Sequence, residues 1–243
     1  MDRLEGAEEQ LDGPLRDPAA LDANLLDLRR INRLLGGVAL SRWGLERLVD
    51  GLEGTISMLD VGTGGADIPV ALLADARRRD RRLSIVAVDS RPEVIASALR
   101  LRPSLSRIEG LSLGVVPESG LPYPDRAFDV AHCSLVVHHL ERGEAIAFLG
   151  ELGRVARRGV VVNDLDRSWR HWLGARLVGS IARSPYTRSD APLSVRRAYR
   201  PSEQRGLLEA AGLRVVAERR GFLGHRYVLA AVHHTDEPAG ASV

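Results

Sequence analysis

MLDVGTGGADIP, Met58–Pro69, carries four signals in a row: an apolar β-run, an acid, a glycine loop and a helix start. Gly62 and Gly64 allow a tight turn and a close approach of backbone to a ligand. Asp67 reads as the helix cap and Pro69 as a first-turn residue. Free N–H groups at such a helix start favour an anionic group, for instance a carboxylate. Further on, the β-run Leu83–Val88 ends in Asp89, placed to accept the hydroxyls of a ribose. This pairing serves both dinucleotide oxidoreductases and nucleoside-cofactor transferases. Two acids favour the transferase. Asp60 precedes the first glycine, where its charge would oppose a pyrophosphate, and Asp67 occupies the third glycine position of a dinucleotide loop.

Outward from this segment the chain alternates. Helical spacing covers Ala19–Leu35 and about Leu40–Gly51; then come Ile56–Val61, a helix to about Arg79, Leu83–Val88, and a helix opened by Arg91-Pro92-Glu93. Leu111–Val116 and Phe128–Ser134 read as strands around a turn-rich loop, followed by a helix over Glu141–Val155 and a strand at Gly159–Asn163. Asp164–Arg200 breaks the rhythm, Pro201–Ala211 restores a helix, and Leu213–Glu218 and Arg226–Val232 lie close enough to pair antiparallel. The expected fold is α/β: a doubly wound, mostly parallel, Rossmann-like seven-stranded sheet with a C-terminal antiparallel strand and an N-terminal helical cap. Residues 1–53 are assigned to an arm and cap, with Met1–Asp17 expected to be mobile. Residues 54–233 form the ligand-binding domain, 164–200 an insert beside the site, and 234–243 a flexible tail.

Composition narrows the class. The 243 residues are 44% hydrophobic with a net charge of +2, which excludes disorder as the main state. No apolar run approaches a membrane span and no apolar leader opens the chain, so a cytoplasmic protein is expected. One cysteine, Cys133, builds neither an internal disulfide nor a cysteine metal site. All 34 basic residues are Arg; the run Ala76–Arg82 contains an acid and the other arginines read as interleaved with acids, so no nucleic-acid partner is expected. Without Lys, Schiff-base chemistry is excluded.

With these motifs in view, the chain resembles class I S-adenosylmethionine-dependent methyltransferases. LDVGTGGADIP resembles their first motif, with Ala66 where a third glycine is usual; VAVDSRPEVIASA resembles the second-strand ribose motif; LPYPDRAFDVAHCSLVVHHL is similar to their fourth-strand region. The likeness runs from Gly54 to about Val232 and is closest to quinone-biosynthesis-type and type III polyketide-associated members. It implies S-adenosyl-L-methionine as cofactor. Asp60, Gly62, Thr63 and Gly64 would then hold the methionine moiety, Asp89 the ribose, and Ser90 would flank the adenine. Glu118 would stand in for the usual adenine-side acid, and Ser134 and Leu135 would approach the methionine end.

His138 and His139 lie just past the fourth strand and are the acid-base candidates, because imidazole takes a hydroxyl proton near neutral pH. The resemblance favours His139. Asn163, Asp164 and Asp166, at the end of a strand, are placed to touch acceptor or to support residues that do. Quinone-pathway relatives bind metal through acids nearby; here those places are Leu135 and His138, so no metal is expected. Trp169, His171, Trp172 and Tyr186 of the insert read as an acceptor lid or as a packing cluster, and Arg196-Arg197 as a contact for an anionic acceptor or a solvated face. The expected activity is methyl transfer to a small molecule, at a phenolic or hydroxyl oxygen. The alternatives are C-methylation of quinone type, a non-catalytic nucleoside-cofactor binder, and an NAD-dependent oxidoreductase.

Overall fold

The computed structural model describes residues 1–117 and 120–234. Expected Glu118 and the tail from residue 235 lie outside them. Two helices, α1 (Pro18–Leu34) and α2 (Gly37–Val49), precede the alternating part. There β1 (Thr55–Val61), α3 (Asp67–Arg78), β2 (Arg82–Asp89), α4 (Pro92–Leu101), β3 (Leu111–Val115) and β4 (Phe128–Ser134) follow in turn. The chain continues through α5 (Arg142–Val155), β5 (Ala156–Leu165), α6 (Trp169–Ile181), α7 (Pro185–Arg197), α8 (Pro201–Ala210), β6 (Leu213–Arg220) and β7 (Arg226–His233).

The seven strands are ordered β3-β2-β1-β4-β5-β7-β6. β1 pairs in parallel with β2 and β4, and β2–β3 and β4–β5 are also parallel, whereas β7 runs antiparallel to both β5 and β6. A doubly wound dinucleotide sheet runs 3-2-1-4-5-6. Here an antiparallel strand is wedged beside β5, which sets this sheet apart from that of the oxidoreductases.

Consecutive strand residues face opposite sides, so β1 feeds two cores. Leu59 joins Leu149, Leu152, Leu207 and Leu208 under α5 and α8. Met58 joins Leu48, Leu72, Ile85 and Val228 under α2 and α3. At the carboxyl end of β1, Gly62 (φ 73°) and Gly64 (φ 54°) turn the chain. A Cβ on Gly62 would sit 2.4 Å from Val136 Cγ2, so this position excludes a side chain on two counts.

Three expectations need correction. Asp67 is the first helical residue rather than the cap; Ala66, left-handed at φ 53°, caps α3 because the glycine loop carries its turn one residue short of Asp67, whose carboxylate accepts from Asn32 Nδ2 at 3.1 Å. The broken rhythm of 164–200 is two helices, α6 and α7. The arm expected to be mobile is tied down. Arg3 Nη1 donates to Glu141 at 2.7 Å, the Asp190 carboxylate accepts from the backbone of Gln10 and Leu11, and Arg91 donates to the carbonyls of Leu11 and Gly13. Its partners come from residues far along the chain, beyond the reach of local composition.

Candidate active site

The carboxyl ends of β1, β2 and β4 open into one cavity of about 1410 Å³, roofed by the arm, α1, α6 and α7. Its walls include Asp60, Gly62, Thr63, Gly64, Asp89, Ser90, Ser134, His138 and His139, so the structure gathers the described cofactor and acid-base candidates into one chamber, whereas Asn163, Asp164 and Asp166 stand behind its wall.

The cofactor side is built by the glycine loop. Gly64 N–H donates to Asp89 Oδ2 at 3.0 Å and Arg91 N–H to Oδ1 at 3.1 Å, which fixes the carboxylate while leaving lone pairs for a ligand hydroxyl. Burial raises the Asp89 pKa against these two bonds. Asp60 is committed elsewhere: its Oδ1 lies 2.5 Å from His132 Nδ1, and His132 Nε2 lies 2.8 Å from Ser41 Oγ. Asp60 therefore also braces β1 against β4 and α2. Thr63 Oγ1 is buried without a hydrogen-bond partner, as are Asn24 Oδ1, Glu9 Oε1 and both ring nitrogens of His225, all residues of the cavity wall. Buried polar atoms left unpaired are costly. A polar, nucleoside-sized ligand would satisfy them, and the loop, Asp89 and orphaned Thr63 together fit the methionine and ribose parts of S-adenosylmethionine.

The histidines follow β4 in the same cavity wall. His138 is buried, and its Nδ1 lies 2.7 Å from Asp164 Oδ1, a contact that orients the ring and favours Nε2 as the free lone pair. Burial alone would raise the Asp164 pKa, but His138 beside it wins and holds the carboxylate below its usual range. Nε2 faces Glu9 Oε1 across 4.0 Å. One bridging oxygen accepting and donating hydrogen bonds spans about 4–4.5 Å, so the gap fits a water or an acceptor hydroxyl. His139 Nδ1 bonds Asp12 Oδ1 at 2.7 Å. Glu9 and Asp12, both from the arm, were not singled out in the sequence; only the fold brings them here. Burial pushes Glu9 up to about 7.

Donor atoms of Glu9, His138 and His139 lie within 4.8 Å of one another, close enough to gather round a cation. A cation is already there. Arg197 Nη1 stands 3.6 Å from Glu9 Oε1 and 2.5 Å from Asp12 Oδ2. Its fixed charge would repel a metal ion, so the donor set fits poorly to one. Arg197 is thereby a buried tether and only Arg196 is solvated. The expected aromatic lid is also redistributed. His171 lines the cavity with Arg170, Gly174, Ala175 and Val178 of α6, whereas Trp169, Trp172 and Tyr186 are not part of its wall.

Residues 59–162 match the family described as Methyltransferase domain. Over 133 residues the chain is 32% identical to the ubiquinone/menaquinone biosynthesis C-methyltransferase UbiE of Geobacter sp. (strain M21), covering 53% of each. The chain thus spans about half the length of that curated relative. Among solved structures it resembles a SAM dependent methyltransferase from Aquifex aeolicus (TM-score 0.62, 22% identity, 89% of this chain and 98% of that one). It also resembles an O-methyltransferase family 2 protein from Planctomyces limnophilus in complex with apigenin (TM-score 0.60, 20% identity, 91% and 63%). At such identities these likenesses speak of fold. The family match makes residues 59–162 a methyltransferase domain, and the strand order and glycine loop agree with the class I S-adenosylmethionine-dependent type.

Proposed function

We propose that the protein transfers a methyl group from S-adenosylmethionine to a hydroxyl, most readily a phenolic oxygen, of a small apolar acceptor. The observation that carries this reading is His138, held by Asp164 at 2.7 Å, in the same cavity that the glycine loop lines. The cofactor, when bound, supplies a methyl already activated on a sulfonium. The chain's own work is alignment and proton removal. Asp89 and Ser90 receive the nucleoside, and the loop from Gly62 to Gly64 receives the methionine carboxylate. His138 Nε2 takes the acceptor proton, Asp164 holds the ring and its charge stabilises the imidazolium, and Leu25, Leu28 and Val178 exclude water. His139, tied to Asp12, secures the arm and keeps Glu9 in place. C-methylation is the second reading, favoured by the similarity to a C-methyltransferase. It needs the same cofactor seat and a base for the proton that the ring loses as the methyl arrives.

Calorimetry with S-adenosylhomocysteine and NAD, followed by turnover on phenolic and quinol acceptors, tests this. Asp89→Ala should weaken cofactor binding by about tenfold or more. His138→Ala should leave it nearly unchanged while slowing oxygen methylation by on the order of 10²-fold. Binding of NAD alone would overturn the assignment, full turnover of His138→Ala on a phenol would show that His138 is not the base, and a ring-methylated product would move the chemistry to carbon.

A further inference from the structure

α6 contributes Arg170, His171, Gly174, Ala175 and Val178 to the cavity wall and leaves a neighbouring face exposed. Beside the residues that line the cavity, Trp169, Leu173, Leu177 and Ile181 follow one another every four residues and are 63%, 47%, 64% and 84% exposed. That spacing makes one stripe along a helix. Phe222 and Leu223, in the turn between β6 and β7, are 75% and 56% exposed. This turn abuts the start of α6, since a Cβ on Gly224 would lie 3.8 Å from His171 Nε2. Six of the ten exposed large hydrophobics among the described residues thus gather in one region. Singly they would need no explanation; a continuous face does.

The charge around this face is one-sided. From residue 167 to 200 every exposed charged side chain is an arginine, among them Arg170, Arg176, Arg183, Arg188 and Arg196, and the one acid, Asp190, is buried. This corrects the expectation that the arginines are interleaved with acids throughout; the insert is locally basic in a chain of net charge +2. A short helix with a Trp-led apolar stripe bordered by arginines has the chemistry of an element lying in the headgroup layer of an anionic bilayer. Thirteen residues extend about 20 Å against a hydrocarbon core of about 30 Å, so α6 is too short to span, and among the described residues no helix is long and apolar enough to do so. A second copy packed face to face would set these arginines against their own equivalents, which disfavours self-association.

We propose that the outer face of α6, with the turn at Phe222 and Leu223, docks the protein on the surface of an anionic lipid bilayer. The proposal goes beyond the methyl-transfer reading and does not require it. Combined with that reading, it sets the roof of the acceptor chamber against the phase in which an apolar acceptor dissolves.

The test is co-sedimentation of the full chain with phosphatidylcholine vesicles, with and without phosphatidylglycerol, using Leu177→Glu/Ile181→Glu as the variant. Neither residue lines the cavity and both are exposed, so the fold should survive; calorimetry with S-adenosylhomocysteine checks it. Binding to the anionic vesicles is expected, weakened by raised salt and at least about tenfold weaker in the double variant, with cofactor affinity unchanged. Absence of binding to anionic vesicles at low salt, or equal binding of the variant, overturns the proposal. A concentration-dependent dimer dissolved by the double substitution, without vesicle binding, would assign the face to a second copy instead. Vesicle binding without cofactor binding would count against the methyltransferase reading alone.

Discussion

Glu9 is the residue with the most unusual surroundings: 3% exposed, one oxygen accepting from Ser194 Oγ at 2.7 Å and the other without a hydrogen bond, 3.6 Å from Arg197 Nη1. Burial raises its pKa from 4.5 to about 7, against the opposing pull of His139, Ser194 and Arg197. A raised carboxyl pKa means the folded state holds its proton more tightly than the unfolded chain. Its contribution to stability is complete below pH 4.5 and is lost as the pH rises through about 7, a loss of at most on the order of 3 kcal/mol. Asp12 works in the opposite sense. Burial resists its ionisation, but His139 and Arg197 outweigh that and lower its pKa, so its contribution disappears in acid. Glu9→Gln keeps the shape and removes the titration. Its melting temperature should match the native protein near pH 5 and exceed it near pH 8 in calorimetric scans. Parallel curves across that range would show that Glu9 keeps its charge.

Among elements, the arm shows what local sequence can and cannot convey. The strands and helices from β1 to β5 were legible because their signals are local: apolar runs, a glycine loop, Pro at helix starts. Asp89 and the glycine loop could be located for the same reason, since both end strands of the alternating part. The arm has no internal period, and its order comes from Asp190, Arg91, Glu141 and Arg197, all contributed from elsewhere. The helices of the insert were missed for a different reason. α6 buries only Gly179 and turns its apolar stripe outward, and α7 contains Pro192, so neither shows the usual pattern of a helix packed on a core. Asp190→Ala removes the acceptor for the amides of Gln10 and Leu11. The arm should then loosen: hydrogen exchange at those amides should speed up by about tenfold or more, and trypsin should cut after Arg16 far sooner. Unchanged protection of both amides would mean that Arg3 and Arg91 suffice to hold the arm.

For the molecule as a whole, the N-terminal helices and the sheet are joined by a buried polar network rather than by apolar packing alone. Arg226 on β7, fully buried, donates to Asn163 Oδ1 of β5 at 3.1 Å, to Asn32 Oδ1 of α1 at 2.6 Å and to Ser134 Oγ of β4 at 2.8 Å. Asn163 passes the connection on to Ser41 Oγ and the Gly37 carbonyl of α2, and Ser41 reaches Asp60 through His132. Gly37 has no side chain because the guanidinium fills that space: a Cβ there would lie 2.7 Å from Arg226 Nη1. Burial lowers the Arg226 pKa to about 10, with Asp164 and Asp67 opposing the shift, so the group stays charged at neutral pH. The same arginine therefore sets the cap, Ser134 in the cofactor wall and the field on Asp164 that orients His138. Arg226→Met fills much of the volume but leaves these acceptors unpaired inside the protein. It should cost about 3–5 kcal/mol, lowering the melting temperature by about 10 °C in a chain of this size. Cofactor affinity should fall with it, because Ser134 and the cap move together. Loss of stability with full cofactor affinity in calorimetry would show that the network supports the fold but does not position the site.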